Sequence, residues 1–175
     1  MNIDLESLFD RYEAGKITRR SLLGLLATLI TAGRASAQAV EPSIGTIGTV
    51  KQLNHVTIFV EDVNKSVDFY QKLFGMPVLT RRDPGVNLKV GGGFLGVYPA
   101  LNADNAGINH VCFGVENFDA DATLAKVKEL GLMGAISLRG DTKELYIMAP
   151  DKVLLQIQDV RYKGGVGPLG DRDPE

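Results

Sequence analysis

The chain has 175 residues, of which 45% are hydrophobic, and a formal net charge of -2. This length suits a single domain with a sizeable core, because domains commonly run about 100 to 200 residues. The nearly balanced charge gives no broad attraction to nucleic acid or anionic lipid, so we expect no nucleic-acid partner. The single cysteine, Cys112, excludes an intrachain disulfide framework and a multi-cysteine zinc site.

The first 37 residues have the pattern of a bacterial export signal. The apolar run "LLGLLATLITAG" at 22–33 is shorter than the roughly 20 residues that a membrane-spanning helix needs. Arg19 and Arg20 precede it, and a small-x-small cleavage pattern follows at 35–37. The basic pair resembles a twin-arginine signal, which implies a cargo that folds before transport. We therefore expect a periplasmic or secreted protein with no stable membrane span after signal cleavage; an uncleaved amphipathic or anchoring helix is the alternative.

Composition divides the rest of the chain into a linker, a domain and a tail. Residues 38–50, "QAVEPSIGTIGTV", are typical of a linker because they carry glycine, proline, serine and threonine. Residues 51–160 alternate between strand and helix patterns, and we interpret them as one domain. Residues 161–175 contain "GGVGPLGDRDPE", which predicts an irregular tail.

The domain contains an internal repeat, with units at 51–100 and 106–160. "LNHVTIFVEDV" in the first unit returns as "INHVCFGVENF" in the second, and both copies hold one of the two histidines of the chain. Alternating hydrophobicity at 53–60 predicts a strand, and helical spacing over 64–75 predicts a helix that ends at Gly75. Three shorter strands follow at 76–82, 86–91 and 94–99, separated by "DPG" and "GGG" turns.

The second unit repeats the same order of elements. It predicts a strand at 108–116, a helix at 119–130 capped by Asn117 or Asp119, and strands near 135–139, 143–149 and 153–158. The fold class is therefore α+β. Two tandem βαβββ units form a curved mixed sheet with a concave cavity, and the helices cover its outer face.

Strand alternation predicts which side chains face the cavity. His55 and His110 occupy the same position in the two first strands, and both are expected to point inward. Imidazole is the commonest metal ligand, and a repeat-related pair facing one cavity predicts a shared ion. Two ligands of one ion must have their imidazoles within about 4 to 5 Å. The alternative is that the "NHV" segments are inherited by duplication and that each ring bonds a neighbouring backbone group.

The residues "LNHVTIFVEDVNKSVDFYQKLFGMPVL", "INHVCFGVENFDADATLAKVKELGL" and "ELYIMAPDKVLLQIQD" resemble the vicinal oxygen chelate superfamily, which includes glyoxalase I, bleomycin-resistance proteins and extradiol dioxygenases. The resemblance implies metal ligands on the first strand of each unit and on the last strand, namely His55, His110 and Gln156. The last-strand position usually carries glutamate, so this chain departs from the pattern. A further fourth-strand position falls on Gly96, which has no side chain to offer.

The resemblance and strand alternation also indicate further site residues. Tyr146 is a candidate for orienting substrate or moving a proton, or else part of the cavity wall. Glu144 is the nearest inward carboxylate that could replace the missing glutamate, unless it is solvated or salt-bridged. Arg81 and Arg82 are adjacent and cannot share a strand face, so neither is assigned. The residues expected to line the substrate cavity are Phe59, Phe94, Tyr98, Cys112 and Gln158.

The first hypothesis is an enzyme of this superfamily that uses a divalent metal, Fe, Mn, Ni or Zn, to bind vicinal oxygens of a small substrate. The carboxylate that lyase, isomerase and dioxygenase sites each usually carry is absent here. The sequence therefore does not distinguish among these three reactions. The alternative is a metal-free module that binds or sequesters a small molecule, as bleomycin-resistance proteins do. A purely structural protein would have a filled hollow with its histidines apart. Pairing of the two units within one chain or across a homodimer is also open.

Overall fold

The structure is a computed structural model that describes residues 5–18, 21–22, 46–150 and 152–173. The twin-arginine pair, the cleavage pattern, most of the apolar run and residues 38–45 of the linker lie outside the described residues. Within the described ranges, no helix is long and apolar enough to cross a membrane. The elements in chain order are α1 (Leu5–Glu13), β1 (Val50–Val60), α2 (Val63–Phe74), β2 (Val78–Arg82), β3 (Gly85–Val90), β4 (Gly93–Pro99), a 3-10 turn (Ala103–Asn105), β5 (Gly107–Val115), α3 (Ala120–Glu129), β6 (Gly134–Arg139), β7 (Thr142–Met148) and β8 (Leu154–Asp159).

Eight strands form one mixed sheet in the order β2-β3-β4-β1-β5-β8-β7-β6. The first strands of the two units, β1 and β5, lie side by side and antiparallel at its centre. Each first strand also pairs in parallel with the last strand of its own unit, β4 or β8. The predicted α+β fold of two βαβββ units is thus confirmed, and the two units pair within one chain.

The helices α2 and α3 cover the outer face of the sheet, as alternation predicts. On α3, Leu124 and Val127 are buried against strand residues that include Val115 and Ile157. On α2, Val67 and Tyr70 pack against the core of the first unit. Leu73 of the same helix is 59% exposed, because it lies about 80° around the helix axis from Val63, which also packs against this core.

Helix ends follow the predicted signals. Gly75 ends α2 in the left-handed conformation with φ 66°, which glycine adopts without steric penalty. Asp119, rather than Asn117, caps α3, because its carboxylate accepts a hydrogen bond from the Ala122 amide at 2.9 Å. Asp62 caps α2 in the same way through the Lys65 amide.

Helix α1 packs on the inner face of the sheet, which the sequence analysis did not foresee. Leu8 and Phe9 form a buried cluster with Ala135, Tyr146 and Leu154, which belong to the last three strands. The segment interpreted as the lead of an export signal therefore contributes a helix that covers part of the concave side.

The segment after β8 is irregular and folds back onto the first unit. The Gln52 amide donates to the Val160 carbonyl at 2.6 Å, and the Thr80 hydroxyl donates to the Lys163 carbonyl at 2.8 Å. Tyr162 is buried. This segment consequently closes one side of the concave face.

Candidate active site

The two histidines meet at the centre of the concave face. β1 and β5 are neighbours, and their register places Thr57 opposite His110 and His55 opposite Cys112. The two rings stand nearly perpendicular, with Nε2 of His55 3.2 Å from Nε2 of His110. Both side chains are buried. The distance between the two rings is therefore shorter than the roughly 4 to 5 Å that the sequence analysis set as the limit for two ligands of one ion.

An asparagine precedes each histidine and contacts its other ring nitrogen. Oδ1 of Asn54 lies 2.9 Å from Nδ1 of His55, and Oδ1 of Asn109 lies 2.5 Å from Nδ1 of His110. The amide nitrogen of Asn54 donates to the carbonyls of Val160 and Tyr162, which fixes its oxygen toward the ring. A carbonyl oxygen only accepts, so this arrangement assigns the ring proton to Nδ1 and leaves a lone pair on Nε2.

Burial favours the neutral form of His55. Removal from water, followed by the proximity of His110, lowers the pKa of His55 well below its usual value. A neutral imidazole is the form that binds a metal.

Gln156 supplies a third polar group beside the histidines. It lies on β8, with its Cα in register with Cys112 and with Tyr146. The side chain is buried in the cavity lining, and its amide nitrogen has no hydrogen-bond partner. Among the described residues, no three histidine, cysteine, aspartate or glutamate side chains are arranged to hold a metal. The available donor set is therefore two imidazoles and one amide.

Glu144 forms the centre of a buried hydrogen-bond network on the opposite wall. Its carboxylate accepts from Arg82 Nη1 at 3.0 Å, Arg139 Nε at 3.2 Å, the Tyr146 hydroxyl at 3.0 Å and the Tyr162 hydroxyl at 2.5 Å. Burial alone raises the pKa of Glu144, but the two arginines and the two hydroxyls outweigh it and hold the pKa at about 2. The carboxylate is thus ionised and fully engaged by its partners, which is the salt-bridged alternative that the sequence left open.

The tyrosines of this network are donors. Burial raises the pKa of the Tyr146 phenol well above its usual value, and it does the same for Tyr162. Both phenols therefore stay protonated at neutral pH, and both hydroxyl protons point to Glu144.

Helix α1 brings a second carboxylate to the cavity. Oε2 of Glu13 lies 3.6 Å from Nη2 of Arg139, and Oε1 lies 3.5 Å from Nδ1 of His110. Beside it, the Ser137 hydroxyl donates to Asp10 at 2.7 Å and ties the helix to β6.

These groups surround one cavity of about 290 Å³. Of the predicted site residues, its lining includes His55, His110, Gln156, Glu144, Tyr146, Phe59, Phe94 and Tyr98.

Two residues that were expected to line the cavity lie outside its lining. Cys112 is fully buried with Sγ 3.8 Å from the Phe113 carbonyl, and burial raises the pKa of its thiol well above the usual value. Gln158 turns its amide to the Lys143 carbonyl of β7 at 3.0 Å. Strand alternation predicts that both residues are on the inner face. It does not predict that each side chain bonds to neighbouring backbone and is covered.

Sequence reasoning missed Arg82, Arg139, Tyr162 and Glu13, all of which line the cavity. Arg82 was left unassigned because Arg81 is adjacent, and the structure shows that Arg82 is the one that turns inward. Arg139 ends a strand next to the strand that carries the inward Glu144. This proximity of an arginine to an inward glutamate is the signal that could have indicated Arg139 as a site residue. Tyr162 and Glu13 lie in segments without strand periodicity, where no comparable signal exists.

A pair of βαβββ units whose first strands bring one histidine each to a common cavity defines a domain of the glyoxalase type. Residues 52–157 match the model of the Glyoxalase/Bleomycin resistance protein/Dioxygenase superfamily, and the chain belongs to this family. The resemblance named from the sequence is confirmed.

Individual relatives include several enzymes. The chain is 28% identical over 114 residues to the metallothiol transferase FosB of Lysinibacillus sphaericus (strain C3-41), a match that covers 59% of this chain and 78% of that protein. Methylmalonyl-CoA epimerase from Mycobacterium tuberculosis has a similar structure, with a TM-score of 0.53, 17% identity and coverage of 67% and 93%. A variant of homoprotocatechuate 2,3-dioxygenase from B. fuscum gives a TM-score of 0.54 at 19% identity, covering 64% of this chain and 33% of that one. At these identities the structural likenesses establish the fold.

Proposed function

We propose that the protein is a metal-dependent enzyme that acts on a small molecule with adjacent oxygen atoms, and that His55 and His110 hold its divalent ion. The observation that carries this proposal is the distance of 3.2 Å between the two Nε2 atoms. Two nitrogens bonded to one ion at about 2.0 to 2.1 Å are about 2.9 to 3.4 Å apart in octahedral or tetrahedral geometry. The family membership and the similarity to a metallothiol transferase support the same class.

The surrounding groups fit a metal site. Asn54 and Asn109 face the distal ring nitrogens, as the orienting partners of metal-binding histidines commonly do. Without a cation or a proton between them, two Nε2 lone pairs at this distance repel each other. Gln156 is the nearby side chain that would add a neutral oxygen, and its buried amide nitrogen has no hydrogen-bond partner. When bound, a divalent ion would act as a Lewis acid on the oxygens of the substrate.

The remaining side chains have separate roles in this proposal. Glu144 is a positioning residue, because it holds Arg82, Arg139 and the Tyr146 hydroxyl and has no free lone pair directed at the histidines. Tyr146 lines the cavity, and its hydroxyl donates to Glu144. Phe59 and Phe94 supply apolar walls that exclude water, as small-molecule sites generally require.

A metal-free binding module is the second candidate, and two observations favour it. No free carboxylate of the described residues accompanies the two Nε2 atoms, because Glu144 is engaged by four partners and Glu13 lies at Nδ1 of His110 instead. The amide nitrogen of Asn109 is buried without a partner. If this amide rotated, its nitrogen would donate to Nδ1 of His110, and the ring proton would be on Nε2. The two histidines would then form a direct hydrogen bond, and the pair would need no ion between them.

Metal content distinguishes the two candidates. The full chain is reconstituted separately with Mn²⁺, Fe²⁺, Ni²⁺ and Zn²⁺, desalted, and analysed for metal per protein. The enzyme proposal predicts about one ion per chain for at least one metal, and its loss in His55→Ala and in His110→Ala. Gln156→Ala should weaken retention, while Gln158→Ala, which changes an amide of the same strand that is bonded to the Lys143 carbonyl outside the cavity lining, should not. No retained metal in any sample would favour the binding module.

A further inference from the structure

Glu13 enters the cavity from outside the βαβββ units. Its side chain is only 7% exposed, although it belongs to the last turn of a short surface helix. Oε2 lies 3.6 Å from the Arg139 guanidinium, while Oε1 is buried and has no hydrogen-bond partner. A carboxylate with one unsatisfied buried oxygen is bound imperfectly, since each such oxygen loses its hydration without full compensation.

The charges around Glu13 indicate the charge of the ligand that would bind in its place. Two guanidinium groups, Arg82 and Arg139, line the cavity together with the buried carboxylate of Glu144, whereas the third acidic residue of the lining, Asp83, is exposed to solvent. Glu13 brings the count of buried carboxylates to two, which matches the two guanidinium groups. Without it, one guanidinium charge of the cavity wall has no buried counter-charge, and Nη2 of Arg82 is already buried without a partner. Buried cations require a paired anion, so the cavity favours a monoanion in the place of Glu13.

Helix α1 is suited to leave this position. It has nine residues, and isolated helices shorter than about 12 residues are marginal in water, so its structure depends on docking. Docking rests on the apolar contacts of Leu8 and Phe9 and on the hydrogen bond between Ser137 and Asp10. The docked helix places Glu13 and Ala14 in the cavity wall, where they occupy space next to the histidines.

We propose that Glu13 occupies a subsite for the carboxylate of a monoanionic substrate, anchored by Arg139, and that α1 is a displaceable plug over this subsite. The proposal rests on the proposed function only in taking this cavity as the substrate site, and it narrows the substrate class to small carboxylates. The predicted export cleavage after Ala37 would remove α1 and leave the subsite open.

Benzoate binding to the full chain tests the subsite. Isothermal titration is performed in EDTA, so that no metal contributes to carboxylate binding. Glu13→Gln frees Arg139 and should tighten benzoate binding about tenfold relative to the unsubstituted chain, as expected for one charged hydrogen bond gained. Glu129→Gln, the same change at an exposed position of α3, is the matched control and should leave the affinity unchanged. The neutral analogue benzamide should not gain affinity from Glu13→Gln.

Two further variants test the anchor and the plug. Adding Arg139→Gln to Glu13→Gln should abolish the gain, and Phe9→Asp, which opposes docking of α1 against Tyr146, should produce a gain of its own. Equal benzoate affinity in Glu13→Gln and Glu129→Gln, or a gain that survives Arg139→Gln, would overturn the proposal. Metal retention of the unsubstituted chain and of His55→Ala reports on the proposed function separately, because the benzoate titrations contain EDTA. The Glu13 variants are not used for it, since Oε1 of Glu13 lies 3.5 Å from Nδ1 of His110.

Discussion

The two asparagines at the site determine which nitrogen of each histidine is available. Asn54 and Asn109 each place an oxygen on Nδ1 of the following ring, which directs both Nε2 atoms to the same point. Adjacent residues of a regular strand point to opposite faces, but a register shift between Leu53 and His55 interrupts β1 here. The irregularity allows an asparagine and a histidine in sequence to contact each other.

Asn54→Ala should weaken metal binding about 10- to 100-fold, the usual cost of removing the orienting partner of a metal-binding histidine. The ring would lose the acceptor on Nδ1 and with it the fixed tautomer. Titration with Mn²⁺ or Zn²⁺ measures the affinity. Asn102→Ala, an exposed asparagine of the connecting loop, should bind as the unsubstituted chain does. Equal affinities in both variants would show that Asn54 does not orient His55.

Glu144 should contribute to stability in a pH-dependent manner. Its pKa of about 2 in the folded state lies below the ordinary value of 4.5, so the stabilisation is complete above about pH 4.5 and is lost as the pH falls toward 2. Glu144→Gln should lower the free energy of unfolding by about 3 kcal/mol at pH 7, because it leaves two guanidinium groups without their anion. Urea denaturation at pH 7, 4.5 and 3 measures the difference.

The difference between the unsubstituted chain and Glu144→Gln should shrink across that range. Exposed Glu129→Gln is the control and should cost little at any of these pH values. A penalty for Glu144→Gln that stays constant down to pH 3 would contradict the ionised network.

Sequence reasoning predicted some side chains of the site better than others. Alternation puts His55, His110 and Gln156 on the inner face, and all three line the cavity. The register shifts of β1 and β5 lie just before the two histidines, and alternation is regular from each histidine onward. The same parity argument did not exclude Cys112, which is on the inner face but covered. Alternation predicts which face of the sheet a side chain is on. It does not predict whether other groups cover that side chain.

At the scale of elements, the close approach of β4 to β1 depends on glycine. A Cβ at Gly93 would collide with the backbone carbonyl of Asn54, whereas a Cβ at the preceding Gly92 would meet only the Gln52 side chain at 3.6 Å. Because the obstructing atoms are backbone, they cannot move aside without shifting β1 itself.

Gly93→Ala should therefore destabilise the chain by about 1 to 3 kcal/mol, the range found for overpacking, and should weaken metal retention through the displaced Asn54 and His55. Gly92→Ala is the matched control, and both effects should be small there. Thermal denaturation and metal content of the two variants measure them. Equal behaviour of the two alanine variants would indicate that β1 adjusts without cost to the site.

The elements α1 and the final irregular segment show the limit of pattern reasoning. The bounds predicted for the strands and helices between 50 and 159 differ from the observed bounds by at most three residues, because each element has its own periodicity and its own turn residues. Helix α1 has a buried face, Leu8 and Phe9, that no local pattern connects to Tyr146. The position of α1 depends on a contact between residues that are more than one hundred positions apart in the sequence. Such a contact cannot be predicted from a short stretch of sequence.

At the scale of the whole molecule, duplication explains why one site draws a histidine from each half. The two units meet through β1 and β5 at the centre of the sheet, so equivalent positions of the two first strands become neighbours. An ion bound between them would link the units, and its free energy of binding would add to the free energy of unfolding.

Metal should therefore raise the thermal stability of the chain. At a free metal concentration of about 100 times the dissociation constant, the gain is about 2.7 kcal/mol, which corresponds to a shift of several degrees in Tm. EDTA should reverse the shift, and His55→Ala should show none. Differential scanning calorimetry of both chains, with and without metal and chelator, measures it. A chelator-sensitive shift of the same size in His55→Ala would place the ion elsewhere.

His55 and His110 are proposed to bind one ion through their Nε2 atoms. Since the chain has only two histidines, the long-range ¹H–¹⁵N NMR spectrum of the untagged, ¹⁵N-labelled protein during a Zn²⁺ titration tests it most directly. We expect both rings to be in the Nδ1–H form and both Nε2 resonances to shift together, saturating at about one Zn²⁺ per chain. A shift of one ring alone, or of neither ring in the presence of excess Zn²⁺, would contradict a shared metal site.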